Sequence, residues 1–154
     1  MSSRPKSLLL VTSSGGVLMD LLALRPWWER HDTRWIAVPA VDTVEALAGE
    51  DVSWRAEVSV GRPGSLTRAL VDARHSLHRW RPDAVVSAGT GLAVPWFVAA
   101  RSLGAPCTWV ETLNLIGEPG KAAKLCQRLA TRVLVQRPEL VGSRRRAVLV
   151  GELY

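Results

Sequence analysis

Apolar runs and helical spacings alternate along this chain. Lys6–Thr12 is rich in Leu and Val and reads as a buried strand, broken by Ser13-Ser14-Gly15-Gly16. Within Val17–Arg30, Leu18, Leu21, Leu22 and Arg25 fall in successive helical turns. Thr33–Val38 is a second strand closed by Pro39, Val44–Leu47 a short helical piece, and Trp54–Val60 a third strand closed by Gly61-Arg62-Pro63-Gly64. Ser65–Trp80 is the clearest helix. Leu66, Leu70, Ala73, Leu77 and Trp80 recur three or four apart on one face, Ser65 is placed to cap its start, and Arg81-Pro82 ends it. Ala84–Ala88 is a strand, Gly89-Thr90-Gly91 turns the chain into a helix around Ala93–Leu103, and Gly104 stops that helix. Cys107–Glu111 is a strand, Lys121–Ala130 a helix, Arg132–Gln136 a strand, Pro138–Val141 a helical turn and Ala147–Val150 a last strand.

Strands without clean alternation, separated by helices, imply a parallel sheet covered on both faces. The pattern predicts one α/β domain over residues 1–154, a Rossmann-like parallel sheet with helices on both faces, without linker or repeat. In such sheets ligands sit beyond the carboxyl ends of the strands. Three loops meet that condition: Ser13–Gly16, Ser87–Gly91 and Glu111–Gly120.

Composition narrows the classes. The 154 residues are 47% hydrophobic and 22% charged, a globular balance rather than a disordered one. Two cysteines, Cys107 and Cys126, make no disulfide framework, and no Cys/His cluster has metal-ligand spacing, so neither metal nor cofactor is expected. Leu8–Val11 is too short for a signal-peptide core. Ala84–Ala100 lacks charge, but Gly89, Thr90, Gly91 and Pro95 interrupt it, which reads as strand, loop and helix rather than a membrane span.

Twenty basic against fourteen acidic residues leave a charge of +6. Arg68, Arg74, Arg79 and Arg81, with His75 and His78, make the Ser65–Trp80 helix basic and amphipathic. That is either a solvated face or one suited to anionic lipid, with Trp27 and Trp28 as candidate interfacial aromatics. The arginines are scattered and no nucleic-acid motif is present, so nucleic acid is not an expected partner.

Ser13-Ser14-Gly15-Gly16 leaves a strand and opens a helix. Such a turn either cradles an anion on backbone N–H groups at a helix N-terminus or simply permits a tight turn. Ala88-Gly89-Thr90-Gly91 repeats the arrangement, with the same two readings: a second wall for one diphosphate, or close packing of strand on helix. Glu111, at a strand end, is either a base or hydroxyl ligand or a solvated acid, and Asn114 lies three residues on. Asp42 lies just past the second strand, where a ribose-binding acid would sit, but alone it reads as a turn residue. The dinucleotide fingerprint is absent after the first strand, and no nucleophile elbow is present.

Taken in order, Ser13-Ser14-Gly15-Gly16, Arg81-Pro82-Asp83-Ala84-Val85-Val86-Ser87-Ala88-Gly89-Thr90-Gly91, Trp109-Val110-Glu111, Val135-Gln136-Arg137-Pro138-Glu139-Leu140 and Val150-Gly151-Glu152-Leu153 resemble bacterial polysaccharide-biosynthesis proteins of the PssD/CpsF type. Those are similar to the membrane-recruiting subunit of the two-subunit dolichol-diphosphate GlcNAc transferase. The chain also resembles the acceptor half of the peptidoglycan GlcNAc transferase. The resemblance implies the acceptor-side half of a split GT-B glycosyltransferase, peripheral at the cytoplasmic face of the cell membrane, in exopolysaccharide or capsule synthesis. A separate small subunit would bind the UDP-sugar, of the UDP-GlcNAc type, and the acceptor would be a polyprenyl-diphosphate-linked glycan. Ser14, Gly15, Gly16, Gly89, Thr90, Gly91 and Asn114 would hold that acceptor, Glu111 would act as base or hydroxyl ligand, and Gln136, Arg137, Leu153 and Tyr154 would meet the partner. The family usually has His where this chain has Val17. Two other readings stand beside this one: a free-standing nucleotide-binding Rossmann enzyme, and a non-catalytic membrane scaffold for a glycosyltransferase.

Overall fold

A computed structural model describes residues 4–111, 120–135, 138–142 and 147–149. Its strands are β1 (Ser7–Thr12), β2 (Asp32–Ala37), β3 (Val52–Trp54), β4 (Ala84–Ser87), β5 (Cys107–Glu111), β6 (Arg132–Val135) and β7 (Ala147–Leu149). Its helices are α1 (Gly16–Ala23), α2 (Arg25–Trp28), α3 (Val41–Ala46), α4 (Pro63–Arg79), α5 (Ala93–Ser102) and α6 (Lys121–Leu129), with one 3-10 turn at Pro138–Leu140. The strands form a seven-stranded sheet in the order β3-β2-β1-β4-β5-β6-β7, and every neighbouring pair is parallel.

The expected Rossmann-like sheet with helices on both faces is present. β1 explains why its run is apolar throughout. Leu9 and Val11 enter a core with Phe97, Leu77 and Cys126 from α5, α4 and α6, while Leu8 and Leu10 enter a second core with Leu18, Leu21 and Trp28 from α1 and α2. A strand buried on both faces has no solvent side to mark with polar residues. Burying one leucine contributes roughly 1.5–3 kcal/mol, so this strand is a main source of cohesion. In the second core Trp28 meets Trp35 edge to face, with ring centroids 5.4 Å apart, and donates its indole N–H to the Leu21 carbonyl at 2.8 Å. Trp28 is therefore a core residue and not an interfacial aromatic.

Three sequence expectations are corrected. The helix expected over Val17–Arg30 breaks at Leu24, because Pro26 has no N–H to give and sits instead in the first turn of α2. The third strand is Val52–Trp54, not Trp54–Val60: its partner β2 ends at Ala37, opposite Trp54, so later residues have no ladder to join. Ser65 does not cap α4. Pro63, with its fixed φ, opens the helix two residues earlier, and no side chain caps that end.

The β3–α4 connection lies hard against the β4–α5 loop. A Cβ on Gly91 would overlap the Val58 carbonyl oxygen, so this glycine is needed for close approach of two backbones. Replacing it with alanine is expected to destabilise the fold by about 1–3 kcal/mol or more, because neither backbone can yield cheaply. Gly61→Ala, whose Cβ would sit 3.9 Å from the Ser59 hydroxyl, serves as the tolerated control in the same urea titration. Equal midpoints for the two variants would refute the packing argument.

Cys107 and Cys126 are both free and buried. Burial pushes the Cys107 thiol up to about 12, and burial again, then the nearby Cys107, raises Cys126 further. At pH 8 the folded chain should therefore resist iodoacetamide, and both thiols should react once urea unfolds it. The linkage has a definite sign. Above the ordinary thiol value of 9.0 the unfolded state loses protons that the folded state keeps, so stability falls as pH rises past it.

Candidate functional site

The carboxyl ends of β1, β4 and β5 open into one cleft of about 430 Å³. Its first wall is the β1–α1 turn. Gly15 has φ of 84°, and the helix begins at Gly16. The Gly15 carbonyl receives the N–H groups of Leu18 and Met19 at 3.1 and 3.3 Å. The Gly16 and Val17 N–H groups, in the first turn, have no carbonyl to bond within the helix. Gly15 donates its own N–H to Asp42 Oδ2 at 2.8 Å, while Asp42 Oδ1 accepts the Thr43 N–H at 2.9 Å. Asp42 is thus a clamp from α3 that fixes the turn, beyond the local turn residue its position suggested.

The second wall is the β4–α5 loop. Ser87 is buried and donates its hydroxyl to the Val11 carbonyl at 2.8 Å, tying the end of β4 to β1. It also accepts the Gly89 N–H at 3.3 Å. A Cβ on Gly89 would overlap a methyl of the Val17 side chain, so the two walls touch there and any larger residue would have to displace Val17. Thr90 follows at φ of 108°, a conformation that a β-branched residue holds at a cost of about 1–3 kcal/mol. Strain of this kind concentrates at binding sites, and Thr90 borders the cleft. Its Oγ1 accepts the Leu92 N–H at 3.3 Å.

The floor is acidic and aromatic. Glu111, at the end of β5, is 3% exposed and accepts the Gln127 amide from α6 at 2.9 Å. Asp20, one turn into α1 from Gly16, is equally buried and lines the same cleft. Trp109 also borders it, and its buried indole N–H has no hydrogen-bond partner among the described residues. Main-chain and hydroxyl donors therefore face two carboxylates across one cavity. That arrangement suits a ligand that is anionic at one end and hydroxyl-bearing at the other.

Of the residues expected from sequence, Ser14, Gly16, Gly89, Thr90 and Glu111 line this cleft. Gly15 stands behind the first wall, held by Asp42, and Gly91 is turned toward Val58. Asn114, Gln136, Arg137, Leu153 and Tyr154 lie outside the described residues. Sequence reasoning missed Asp20 and Gln127. Asp20 carries a signal, a lone acid in the apolar run Val17–Ala23 four residues after Gly16. Gln127 carries none, since a glutamine on a mixed helix face is ordinary. Among the described residues, no group of His, Cys, Asp or Glu is arranged to hold a metal, and no helix is long and apolar enough to cross a membrane. Arg68, Arg74, His75, His78 and Arg79 are exposed along α4.

No protein-family model matches the chain. It is 32% identical over 144 residues to the UDP-N-acetylglucosamine–N-acetylmuramyl-(pentapeptide) pyrophosphoryl-undecaprenol N-acetylglucosamine transferase of Synechococcus sp. strain JA-2-3B'a(2-13), covering 84% of this chain and 38% of that protein. It is 30% identical over 170 residues to the same transferase of Synechococcus sp. strain CC9311, covering 96% of this chain and 44% of that one. The chain thus spans less than half the length of these relatives. Among solved structures, Acinetobacter baumannii MurG superimposes with a TM-score of 0.73 at 20% identity, covering 96% of this chain and 44% of MurG. A Rickettsia bellii UDP-N-acetylglucosamine 2-epimerase superimposes with 0.72 at 11% identity, over 97% of this chain and 46% of the epimerase. The fold is that of one Rossmann-like half of a GT-B protein, and the sequence relatives are GlcNAc transferases with a lipid-linked substrate.

Proposed function

We propose that this chain is the acceptor-side half of a GlcNAc-type glycosyltransferase, a single domain that holds a polyprenyl-diphosphate-linked glycan while a second half presents the UDP-sugar. The observation that carries this reading is the convergence of the Gly16 helix start, the Gly89–Thr90 loop and Glu111 on one cleft. The diphosphate sits against the Gly16 and Val17 amides, where the helix dipole favours negative charge, with the Ser14 and Thr90 hydroxyls beside it. Gly15 contributes its conformation rather than its N–H, which Asp42 already receives. Glu111 then contacts the acceptor sugar and serves as the base for its attacking hydroxyl, oriented by Gln127.

The donor half is a separate UDP-sugar-binding subunit, met through Gln136, Arg137, Leu153 and Tyr154, with Asn114 near the acceptor. That is the division of labour in the PssD/CpsF type of exopolysaccharide and capsule synthesis. The exposed basic face of α4 lies on the cytoplasmic membrane surface, which keeps the protein peripheral and brings the cleft to its lipid-linked acceptor. Gly91 supports the site indirectly, through the loop it allows to close.

One observation favours the scaffold reading. Val17 fills the space beside Gly89 with methyl groups, so no titratable side chain stands at the helix start. Catalysis by this chain then falls to the buried carboxylates deeper in the cleft, of which Glu111 is the proposed base and Asp20 the other.

The test is transfer from UDP-GlcNAc to a polyprenyl-diphosphate acceptor by this chain alone, by the candidate partner alone, and by the mixture. Transfer only in the mixture is the expected result. No transfer by a stable complex, across donors and acceptors, would leave the scaffold; tight nucleotide binding by this chain alone would favour the free-standing enzyme. Gly16→Asp should reduce transfer roughly a hundredfold or more, by setting a carboxylate where the diphosphate binds. A Cβ there has open space, and an acid in the first turn favours the helix, so the fold should persist by circular dichroism. Glu111→Gln should lower kcat by about 10²–10⁴ while the partner still binds. Unchanged kcat would remove Glu111 from the chemistry.

A further inference from the structure

Twenty lysines and arginines and three histidines are spread along this chain, yet among the described residues none lines the cleft at the carboxyl edge of the sheet. The charged groups that do line it are Asp20 and Glu111, each 3% exposed. Lys121 and Lys124 flank Ala122 and Ala123 on α6, but both lysines are exposed, and of these four residues only the alanines border the cavity. Residues 112–119, between β5 and α6, add no base in sequence, and their one charged residue is Glu118. A chain of net charge +6 thus carries a cavity whose described charged side chains are all acidic.

Glu111 is the proposed base, which leaves Asp20 without an assigned task. Asp20 shares a helix face with Gly16 and Val17, four and three residues earlier, and all three line the cleft. Its neighbours along α1 are apolar: Leu18, Met19, Leu21 and Leu22. Burying a carboxylate there costs free energy that packing alone does not repay, and a leucine would continue the apolar face. An ionised carboxylate only accepts hydrogen bonds, so it favours hydroxyl and amide donors. It opposes another negative charge, most strongly where water is excluded.

In the proposed function the diphosphate occupies the amides of Gly16 and Val17. A sugar joined to it lies next along the cleft, one helical turn on, beside Asp20. We propose that Asp20 sets the charge of the acceptor. The sugar joined to the diphosphate is neutral and offers hydroxyl or acetamido donors to Asp20, and a uronic acid is rejected. The rejection comes from like charges in a cavity with no base among its described residues to offset them. This inference rests on the reading of the cleft as the acceptor site, and it names the class of sugar that site takes.

Titration calorimetry with the full chain alone tests it through binding rather than transfer. The probes are farnesyl diphosphate with no sugar, with glucose and with glucuronic acid. The two sugars differ only at C6, a hydroxymethyl in one and a carboxylate in the other. A fourth probe carries glucuronamide, which keeps the shape of the uronic acid without its charge. The glucosyl and glucuronamide probes should bind about tenfold or more tighter than the glucuronosyl probe. Asp20→Asn should bring the three within about threefold of one another. Asp20→Ala, which leaves no polar group to bury, should do the same and serves if the asparagine variant does not fold. A role for Asp20 in structure alone would weaken all probes alike and leave their ratio intact. Equal binding of the glucosyl and glucuronosyl probes by the native chain, or a ratio that both variants leave unchanged, would overturn the proposal while the acceptor reading stands. A glucuronamide probe as weak as the glucuronosyl one would overturn it too, by making shape the cause. Failure of every probe to bind, bare farnesyl diphosphate included, would overturn the acceptor reading and this inference together.

Discussion

The pairing of β1 with β4 is the constraint on which this molecule depends. β1 is flanked by β2 on one side and β4 on the other, and the chain departs from it in one direction and returns on the opposite side. The helices after β1 and β4 therefore lie on opposite faces of the sheet, and their starting turns splay apart at the carboxyl edge. That splay is the cleft. Leu8 to Val11 are paired with Ala84 to Ser87, and the Ser87 hydroxyl closes the last step onto the Val11 carbonyl. The two glycine-bearing turns are held at one spacing because a strand pair buried along Leu8–Val11 and Val85–Ser87 stands beneath them.

Each turn is then braced from outside the cleft. Asp42 pulls the Gly15 amide toward α3, and Val17 fits over Gly89. Gly91 lets the Val58 segment lie against the second turn. These braces come from distant parts of the chain, so the site's geometry is a property of the whole sheet. A rigid setting of this kind suits recognition of a ligand by amides, whose positions no rotamer change can adjust.

The sheet was legible because its strands announce themselves. Cys107–Glu111 coincides with the expected strand, and Leu8–Val11 leaves no other reading. The third strand was misplaced because Val58 and Val60 look like strand residues, yet they are apolar for another reason: they pack on the α5 side as a loop. The site was half legible. Spacing after a strand identifies a turn but not where its amides or missing Cβ atoms face, so Gly89 and Gly91 looked equivalent although one faces Val17 and the other Val58. Asp42 and Gln127 act on residues 27 and 16 positions away, and only the assembled sheet brings such pairs together.

The burial of both cysteines has a practical side. With Cys107 and Cys126 kept protonated inside the core, the folded surface offers no competing nucleophilic sulfur near neutral pH. A single cysteine introduced on the rim, at exposed Met19 or Val41, would then be a unique chemical handle in the native chain. Spin labels, fluorophores or crosslinkers attached there would report on whatever docks beside the cleft, with both native residues left in place.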